Sequence, residues 1–194
     1  MATEKLFEIW GKRNPEFETR YEENIIRMFS DYGKGSTGYQ ESRGKIFGAG
    51  YEVYLMAYFI GLYFDKRRPL IEDKNKRKSL GQALQFWGNQ ENRKLRKSYG
   101  KIREYVFISL VARSEVDYVE LDKDKLSVRK VVDTLIETME EYANYGFYYM
   151  EDKLIDNPDF FFRNAAFLEL FLSFGDKDSL SNTNIEVAEA ESLD

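Results

Sequence analysis

A long apolar stretch between Ile46 and Phe64 predicts a buried central helix. Its 19 residues are about the minimum length for a bilayer crossing. Glu52 and four tyrosines lie within it, however, and a carboxylate in the middle of a bilayer is strongly unfavourable. We therefore interpret residues 46–64 as the central helix of a helical bundle and expect no contact with a membrane.

Small residues recur in and before this helix at a spacing that predicts a close helix crossing. Gly44 and Gly48, and again Ala57 and Gly61, are four residues apart and share one face of a helix. Side chains this small allow the backbone of a second helix to approach closely. We expect another helix of the bundle to pack there.

The clearest amphipathic pattern in the chain runs from residue 127 to residue 150. Apolar residues recur at intervals of three and four, with glutamate and aspartate on the opposite side. The pattern predicts a long helix with one buried face. The residues of that face are Val128, Val131, Val132, Leu135, Ile136, Met139, Tyr142 and Ala143.

Two asparagine-proline pairs predict the starts of further helices. A capping residue followed by proline at the first helical position is a common N-terminal signal. Asn14-Pro15 predicts a helix over residues 15–32, and Asn157-Pro158 predicts an apolar helix over residues 158–174.

These patterns together predict an all-α fold, a multi-helix bundle around the central helix at about residues 46–64. Apolar and polar residues alternate near residues 116–121, which allows at most a minor extended segment there. We expect a single α-helical domain over residues 1–175. The acidic residues 176–194 carry few large apolar side chains and predict a flexible tail.

Composition narrows the chemistry further. The 194 residues include no histidine and no cysteine, which excludes a Ser-His-Asp triad, a thiol nucleophile, a zinc finger and haem ligation by histidine. No catalytic motif is recognisable among the remaining side chains, so we expect a non-catalytic protein without cofactor or metal. Without a secretory signal or disulfides, a reducing cytoplasm is the simplest setting.

The glycine-rich segment GKGSTG at residues 33–38 has the glycines, lysine and hydroxyls of a phosphate-binding loop. The spacing of a P-loop and its preceding strand are missing, which favours a flexible connection between helices. Backbone N–H groups before a helix N-terminus still make the segment a candidate site for a single anion. Its residues would be Lys34, Ser36, Thr37 and Arg43.

Positive charge is concentrated in the middle of the chain. Residues 66–103 contain 13 lysines and arginines against three acidic residues, although the net charge of the chain is −5. Residues 115–194 contain 20 acidic residues against seven basic ones. This separation favours either an internal contact between the two regions or an anionic partner for the basic one.

Aromatic and amide side chains lie between the basic residues, a pattern typical of nucleic-acid contact. On a helix, Arg93, Lys97 and Lys101 would share one face. We therefore predict a non-catalytic accessory subunit that contacts nucleic acid through residues 66–103. The predicted contacts are Lys66, Arg67, Arg68, Lys76, Arg77, Lys78, Arg93, Lys94, Arg96, Lys97, Lys101 and Arg103. In the alternative interpretation these side chains are solvated, and some of them pair with the acidic region.

The last predicted helix carries more apolar surface than one buried face requires. Its surplus is explained either by burial within the bundle or by contact with a second subunit. The second explanation makes the chain a protein-protein adaptor or oligomerisation module with no nucleic-acid role. Its predicted interface is Phe160, Phe161, Phe167, Phe171 and Phe174. A carboxylate- or metal-dependent enzyme is a third alternative.

Overall fold

A computed structural model describes residues 2–30, 46–89, 97–123, 127–163 and 165–172. Contacts along the chain divide it into two units, Met1–Glu151 and Asp152–Asp194. The predicted tail at 176–194 lies outside the described residues, and the predicted single domain stays a prediction. Among the described helices, none has both the length and the hydropathy that a membrane crossing requires.

The described elements are mostly helical, which confirms the predicted all-α class. The α-helices are α1 (Ala2–Gly11), α2 (Gly50–Tyr63), α3 (Ile102–Arg113), α4 (Tyr118–Asp122) and α5 (Val128–Asp156). Residues Glu22–Arg27 form a π-helix, and Lys74–Lys76, Leu84–Phe86 and Phe160–Phe162 form 3-10 turns. Strands β1 (Glu16–Glu18) and β2 (Arg77–Ser79) form a two-stranded antiparallel sheet.

Helix α2 is the predicted central helix, and it is buried on nearly all sides. The Glu52 carboxylate caps its N-terminus, because Oε2 accepts hydrogen bonds from the backbone N–H groups of Gly48 at 2.5 Å and Ala49 at 3.1 Å. A carboxylate in the first turn also interacts favourably with the helix dipole. This role explains why the apolar stretch contains one acidic residue.

Helices α2 and α5 approach each other closely at glycines on both sides. A β-carbon on Gly61 would lie 2.0 Å from the carbonyl oxygen of Tyr142, which is far inside contact distance. The small-residue face predicted from Ala57 and Gly61 is therefore the contact face for α5. The other predicted pair includes Gly44, which lies outside the described residues.

The core of the first unit is largely aromatic. Trp87 stacks on Tyr51 and meets Tyr54 edge-on, both with ring centroids 5.6 Å apart. Tyr54 also contacts Phe147 of α5 at 5.6 Å. Such ring pairs add to the stabilisation that burial alone provides. The predicted apolar face of α5 is buried from Val131 to Ala143, as expected, while Val128 remains partly exposed.

The helix predicted from Pro15 to Tyr32 is wrong in its first part. Residues Glu16–Glu18 form β1 and pair in register with β2, Phe17 lying opposite Lys78. Two tertiary hydrogen bonds hold this extended backbone: Leu80 N–H donates to Pro15 O at 3.0 Å, and Glu16 N–H donates to the Glu140 carboxylate at 2.8 Å. These distant partners override the local helical pattern.

The segment near residues 116–121 is helical rather than extended. The Asp117 side chain accepts hydrogen bonds from the N–H groups of Val119 at 2.9 Å and Glu120 at 3.0 Å. Aspartate is a favoured N-cap residue, and this capping starts the short helix α4. The minor extended structure lies instead in β1 and β2.

The second unit contains the end of α5, the turn Phe160–Phe162 and a helical segment at residues 166–172. The predicted continuous helix from Pro158 is therefore interrupted. Ala165 has a positive φ of 61°, a conformation that non-glycine residues seldom adopt within a helix. Phe161 is 1% exposed and stacks on Phe167 with centroids 4.8 Å apart.

Candidate functional site

The chain leaves α2 in a tight turn that lays Lys66, Arg67 and Arg68 along α5. Asp65 adopts a positive φ of 49°, and Lys66 N–H donates to Gly61 O at 3.0 Å. Arg68 N–H then donates to the backbone oxygen of Glu141 at 3.0 Å. The Asn144 amide nitrogen lies 3.2 Å from the Arg68 carbonyl oxygen. The backbone of the three basic residues is therefore fixed to α5.

Each of these three cations lies over a tyrosine ring of α5. Lys66 Nζ is 5.7 Å from the ring centroid of Tyr145, Arg67 Cζ is 5.0 Å from that of Tyr142, and Arg68 Cζ is 4.6 Å from that of Tyr148. The rings come to one side because residues 142, 145 and 148 are three apart on a helix. The separation of charge and ring is within the range of a cation–π interaction.

We call Lys66, Arg67, Arg68, Tyr145 and Tyr148 the basic-aromatic surface. Tyr148 is 40% exposed, and its ring lies 6.4 Å from that of Tyr145. Phe64 supports Tyr145 from the side, with centroids 5.9 Å apart. The surface thus combines positive charge with aromatic rings that are partly open to solvent.

The charges around this surface are only partly compensated. Arg67 donates to the backbone oxygen of Arg113, and Arg113 itself pairs with Asp65 at 3.0 Å. Lys66 and Arg68 form no ion pair with any described residue. The pKa of the Glu141 carboxyl is raised above its ordinary value, mainly by burial, and the nearby Arg67 only partly offsets this rise. Lys66 and Arg68 therefore keep their charge available to a partner, and the carbonyl oxygen bonded to Arg67 is neutral and does not cancel its charge.

Several other predicted contacts are engaged within the fold. Arg77 donates to the carbonyl oxygens of Ile71 at 2.5 Å and Leu70 at 3.3 Å. The loop before β2 is closed by this arginine. Arg103 likewise donates to backbone oxygens, those of Gly100 and Gln85.

Lys76, which precedes β2, and Lys78, which lies within it, form ion pairs instead. Lys78 Nζ lies 2.7 Å from the Glu22 carboxylate, and Lys76 Nζ lies 4.0 Å from Asp73. Neither pair involves the acidic C-terminal region. The alternative interpretation, in which some basic residues pair with that region, stays a prediction, because much of the region lies outside the described residues.

Lys97 and Lys101 are exposed and form no ion pair in the described part of the chain. They do not share a helix face as predicted, because α3 begins at Ile102. Between them, Tyr99 is held by two hydrogen bonds: its N–H donates to Gly88 O at 3.0 Å, and its hydroxyl donates to Glu52 at 2.5 Å. Arg93, Lys94 and Arg96 lie outside the described residues.

Of the predicted contacts that are described, those whose side chains form no hydrogen bond or ion pair lie in two separate groups. Lys97 and Lys101 flank Tyr99, which is bonded near the N-terminal end of α2. Lys66 and Arg68 follow the C-terminal end of the same helix. Fourteen residues of α2 lie between those ends, which corresponds to about 20 Å at 1.5 Å per residue.

The candidate anion site at Lys34, Ser36, Thr37 and Arg43 lies outside the described residues, so it stays a prediction. Of the predicted protein interface, Phe161 is buried, Phe160, Phe167 and Phe171 are half-buried, and Phe174 is not described. The exposed apolar side chains of the segment are Leu168, at 59%, and Leu172, at 61%.

Acidic residues do not assemble into a metal site in the part of the chain that is described: no group of three comes close enough to hold an ion. The pKa of the Glu140 carboxyl is raised to about 7, mainly by burial and also by the nearby Glu16. Its contact with the backbone of β1 indicates a structural role.

Comparison of the chain with protein-family models, with curated proteins and with solved structures finds no match. The tyrosines of α5 are the functional candidates that the sequence pattern did not identify. Their spacing of three residues was a visible signal, but their proximity to Lys66–Arg68 depends on the tertiary fold.

Proposed function

We propose that this protein is a non-catalytic helical accessory subunit that binds single-stranded nucleic acid at the basic-aromatic surface. The observation that carries the proposal is the placement of three consecutive cations over three tyrosines of α5. Proteins that hold single strands without sequence preference combine backbone-tracking positive charge with aromatic rings on which bases stack.

The charge supports phosphate binding because Lys66 and Arg68 have no carboxylate partner among the described residues. The backbone hydrogen bonds to Glu141 and Asn144 hold the segment in place, so less conformational entropy is lost on binding.

The rings support the stacking of bases. Tyr148 is 40% exposed, and Tyr145 beside it is half-buried. Stacking on an aromatic side chain contributes about 1–3 kcal/mol per base. An unpaired strand offers base faces to such rings, whereas a duplex keeps them within its own stack.

Salt dependence tests the proposal. We expect a fluorescein-labelled oligothymidylate to show a log-log slope of affinity against salt of about −2, from three phosphate contacts at about −0.7 each. The double variant Lys66→Ala with Arg68→Ala should reduce the slope to about −0.7. Tyr148→Ala should weaken binding with little change of slope.

The double variant Arg129→Ala with Lys130→Ala is the matched control, because it removes two exposed cations near the N-terminal end of the same helix. It should leave affinity and slope unchanged. If the wild-type chain does not bind the oligonucleotide at low salt, or if both double variants weaken binding equally, the proposal is wrong.

The adaptor alternative has one specific observation in its favour. Leu168 and Leu172 are four residues apart on the helical segment 166–172, so they share a face, and both are mostly exposed. Light scattering of wild type and Leu168→Asp tests it. A mass above one chain that falls to one chain in Leu168→Asp, but not in Val119→Asp, would support self-association, and a monomeric wild type would contradict it.

A further inference from the structure

A cleft of about 420 Å³ lies apart from the basic-aromatic surface, beside α1. Phe7, Trp10 and Lys12 line it from α1 and the residue that follows, with Gln85 and Arg103 across from them and Glu8 beside Phe7. Its volume falls within the range that is usual for small-molecule sites. None of these residues belongs to the surface proposed above for nucleic acid.

Backbone contacts hold the polar side of the cleft in place. Arg103 Nε donates to Gly100 O at 3.2 Å, and Nη1 donates to Gln85 O. The turn that carries Gln85 is tied to α1's end, because Leu84 N–H donates to Arg13 O at 3.0 Å. The guanidinium is therefore oriented before any ligand arrives.

The positive charge of the cleft is not neutralised by these contacts. Both partners of Arg103 are neutral carbonyl oxygens, and neither Arg103 nor Lys12 forms an ion pair with a described residue. Glu8 contributes one negative charge to the lining. A cleft with two cations and one carboxylate favours a ligand with a single anionic group.

The opposite side of the cleft is aromatic and rigid. Phe7 and Trp10 lie with centroids 5.8 Å apart and an interplanar angle of 27°, and Trp10 is completely buried. Both rings pack on Phe107 of α3, at 5.1 and 5.4 Å. A planar apolar group can lie against such a wall without displacing it.

We propose that this cleft binds a small aromatic molecule that carries one anionic group. The ring packs on Phe7, which the buried Trp10 supports from behind, and the anion lies between Arg103 and Lys12. The remaining N–H groups of Arg103 donate charge-assisted hydrogen bonds to it, which are stronger than neutral ones.

Two fluorescent probes of nearly equal shape test the charge requirement. The anionic probe is 8-anilinonaphthalene-1-sulfonate, and the neutral one is N-phenyl-1-naphthylamine. We expect the wild-type chain to bind the anionic probe with a stoichiometry of one, and about tenfold more tightly than the neutral probe, which corresponds to one charge-assisted contact.

Arg103→Met removes the charge and keeps the aliphatic part of the side chain. It should lower the affinity for the anionic probe about tenfold and leave the affinity for the neutral probe unchanged. Arg113→Met, at the other end of α3, is the matched control and should change neither. The proposal is overturned if an Arg103→Met variant with wild-type circular dichroism loses affinity for both probes equally. It is also overturned if that variant binds the anionic probe as tightly as the wild type does.

Arg103 also closes backbone contacts, so its replacement could affect folding. Lys12→Met offers a second route, because the Lys12 side chain makes no described hydrogen bond or ion pair. Lys12→Met should weaken the binding of the anionic probe alone, whereas Glu8→Gln should strengthen the binding of that probe. If neither variant changes the preference for the anionic probe over the neutral one, the cleft does not select an anion.

Discussion

The backbone of Gly146 in α5 lies directly against the carbonyl group of Ala57 in α2. A β-carbon at residue 146 would lie 1.8 Å from the Ala57 oxygen, and the same relationship recurs between Gly61 and Tyr142 at 2.0 Å. The two helices therefore meet through glycines on both sides. The contact is between rigid backbones, so no side chain can move aside to accommodate a methyl group.

We expect Gly146→Ala to destabilise the protein by about 3 kcal/mol or more, since overpacking a tight core already costs about 1–3 kcal/mol. Urea denaturation followed by circular dichroism measures this. Gly11→Ala is the control, because a β-carbon there would meet Gln85 at an ordinary 3.5 Å. Equal stability of the two variants would show that α2 and α5 are not in backbone contact.

Glu140 predicts a pH dependence of stability. Its folded pKa is about 7, against an ordinary value of 4.5, mainly because it is buried. The folded chain therefore holds the proton more tightly than the unfolded chain. The contribution of Glu140 to the free energy of unfolding is therefore fully present below pH 4.5. It is lost as the pH rises through 7, a change of about 3 kcal/mol.

Glu140→Gln should remove this dependence and make the protein more stable than the wild type above pH 7. The measurement is the free energy of unfolding at a series of pH values from 4.5 to 8. Glu104→Gln, which changes an exposed carboxylate on α3, should follow the wild-type curve. Parallel curves for wild type and Glu140→Gln would contradict the prediction.

A hydrogen bond between the Tyr99 hydroxyl and the Glu52 carboxylate joins α2 to the segment before α3. Tyr99→Phe removes the hydroxyl that donates to Glu52 at 2.5 Å. We expect a loss of about 1–3 kcal/mol, the usual cost of taking a partner from a charged, buried acceptor. Thermal unfolding should show no comparable loss for Tyr105→Phe, because the Tyr105 side chain is 63% exposed.

A second buried carboxylate beside Glu18, in place of the Asn144 amide, should destabilise the first unit. The Asn144 amide nitrogen lies 3.0 Å from Glu18 Oε1, and both residues are buried. Asn144→Asp would replace that donor by a second carboxylate, which we expect to cost about 3–5 kcal/mol at neutral pH. The loss should be smaller at pH 4, because protonation of the introduced aspartate would relieve the repulsion.

Chemical denaturation at the two pH values provides the measurement, with Asn75→Asp as the exposed control. The free energy of unfolding of that control should be within about 0.5 kcal/mol of the wild-type value at both pH values. An Asn144→Asp variant as stable as Asn75→Asp would mean that the hydrogen bond to Glu18 does not form.

The sequence predicted helix α5 well because burial of one face leaves a direct periodic signal, from Val131 to Ala143. It failed at Glu16–Glu18, where the conformation depends on Glu140 and on β2, both far along the chain. Local pattern carries no information about such partners. Likewise, Ala57 and Gly61 predicted one side of a helix crossing, whereas the matching role of Gly146 required the fold.

As with the fold, only part of the candidate site could be predicted from the sequence. The basic character of Lys66, Arg67 and Arg68 was evident, but the engagement of Arg77 and Arg103 by carbonyl oxygens was not. Those acceptors are backbone groups, which every residue has, so no sequence pattern distinguishes them. The separation of Lys97 and Lys101 from Lys66–Arg68 follows from the placement of Tyr99 beside Glu52.

The capping carboxylate of α2 also bears on the order of folding. Its bond to Tyr99 joins positions that are 47 residues apart, so forming it requires closure of a long loop around a helix start that must already exist. We expect the segment around Tyr99 to attach after the rate-limiting step. In stopped-flow experiments Tyr99→Phe should then accelerate unfolding while the refolding rate stays close to that of the wild type.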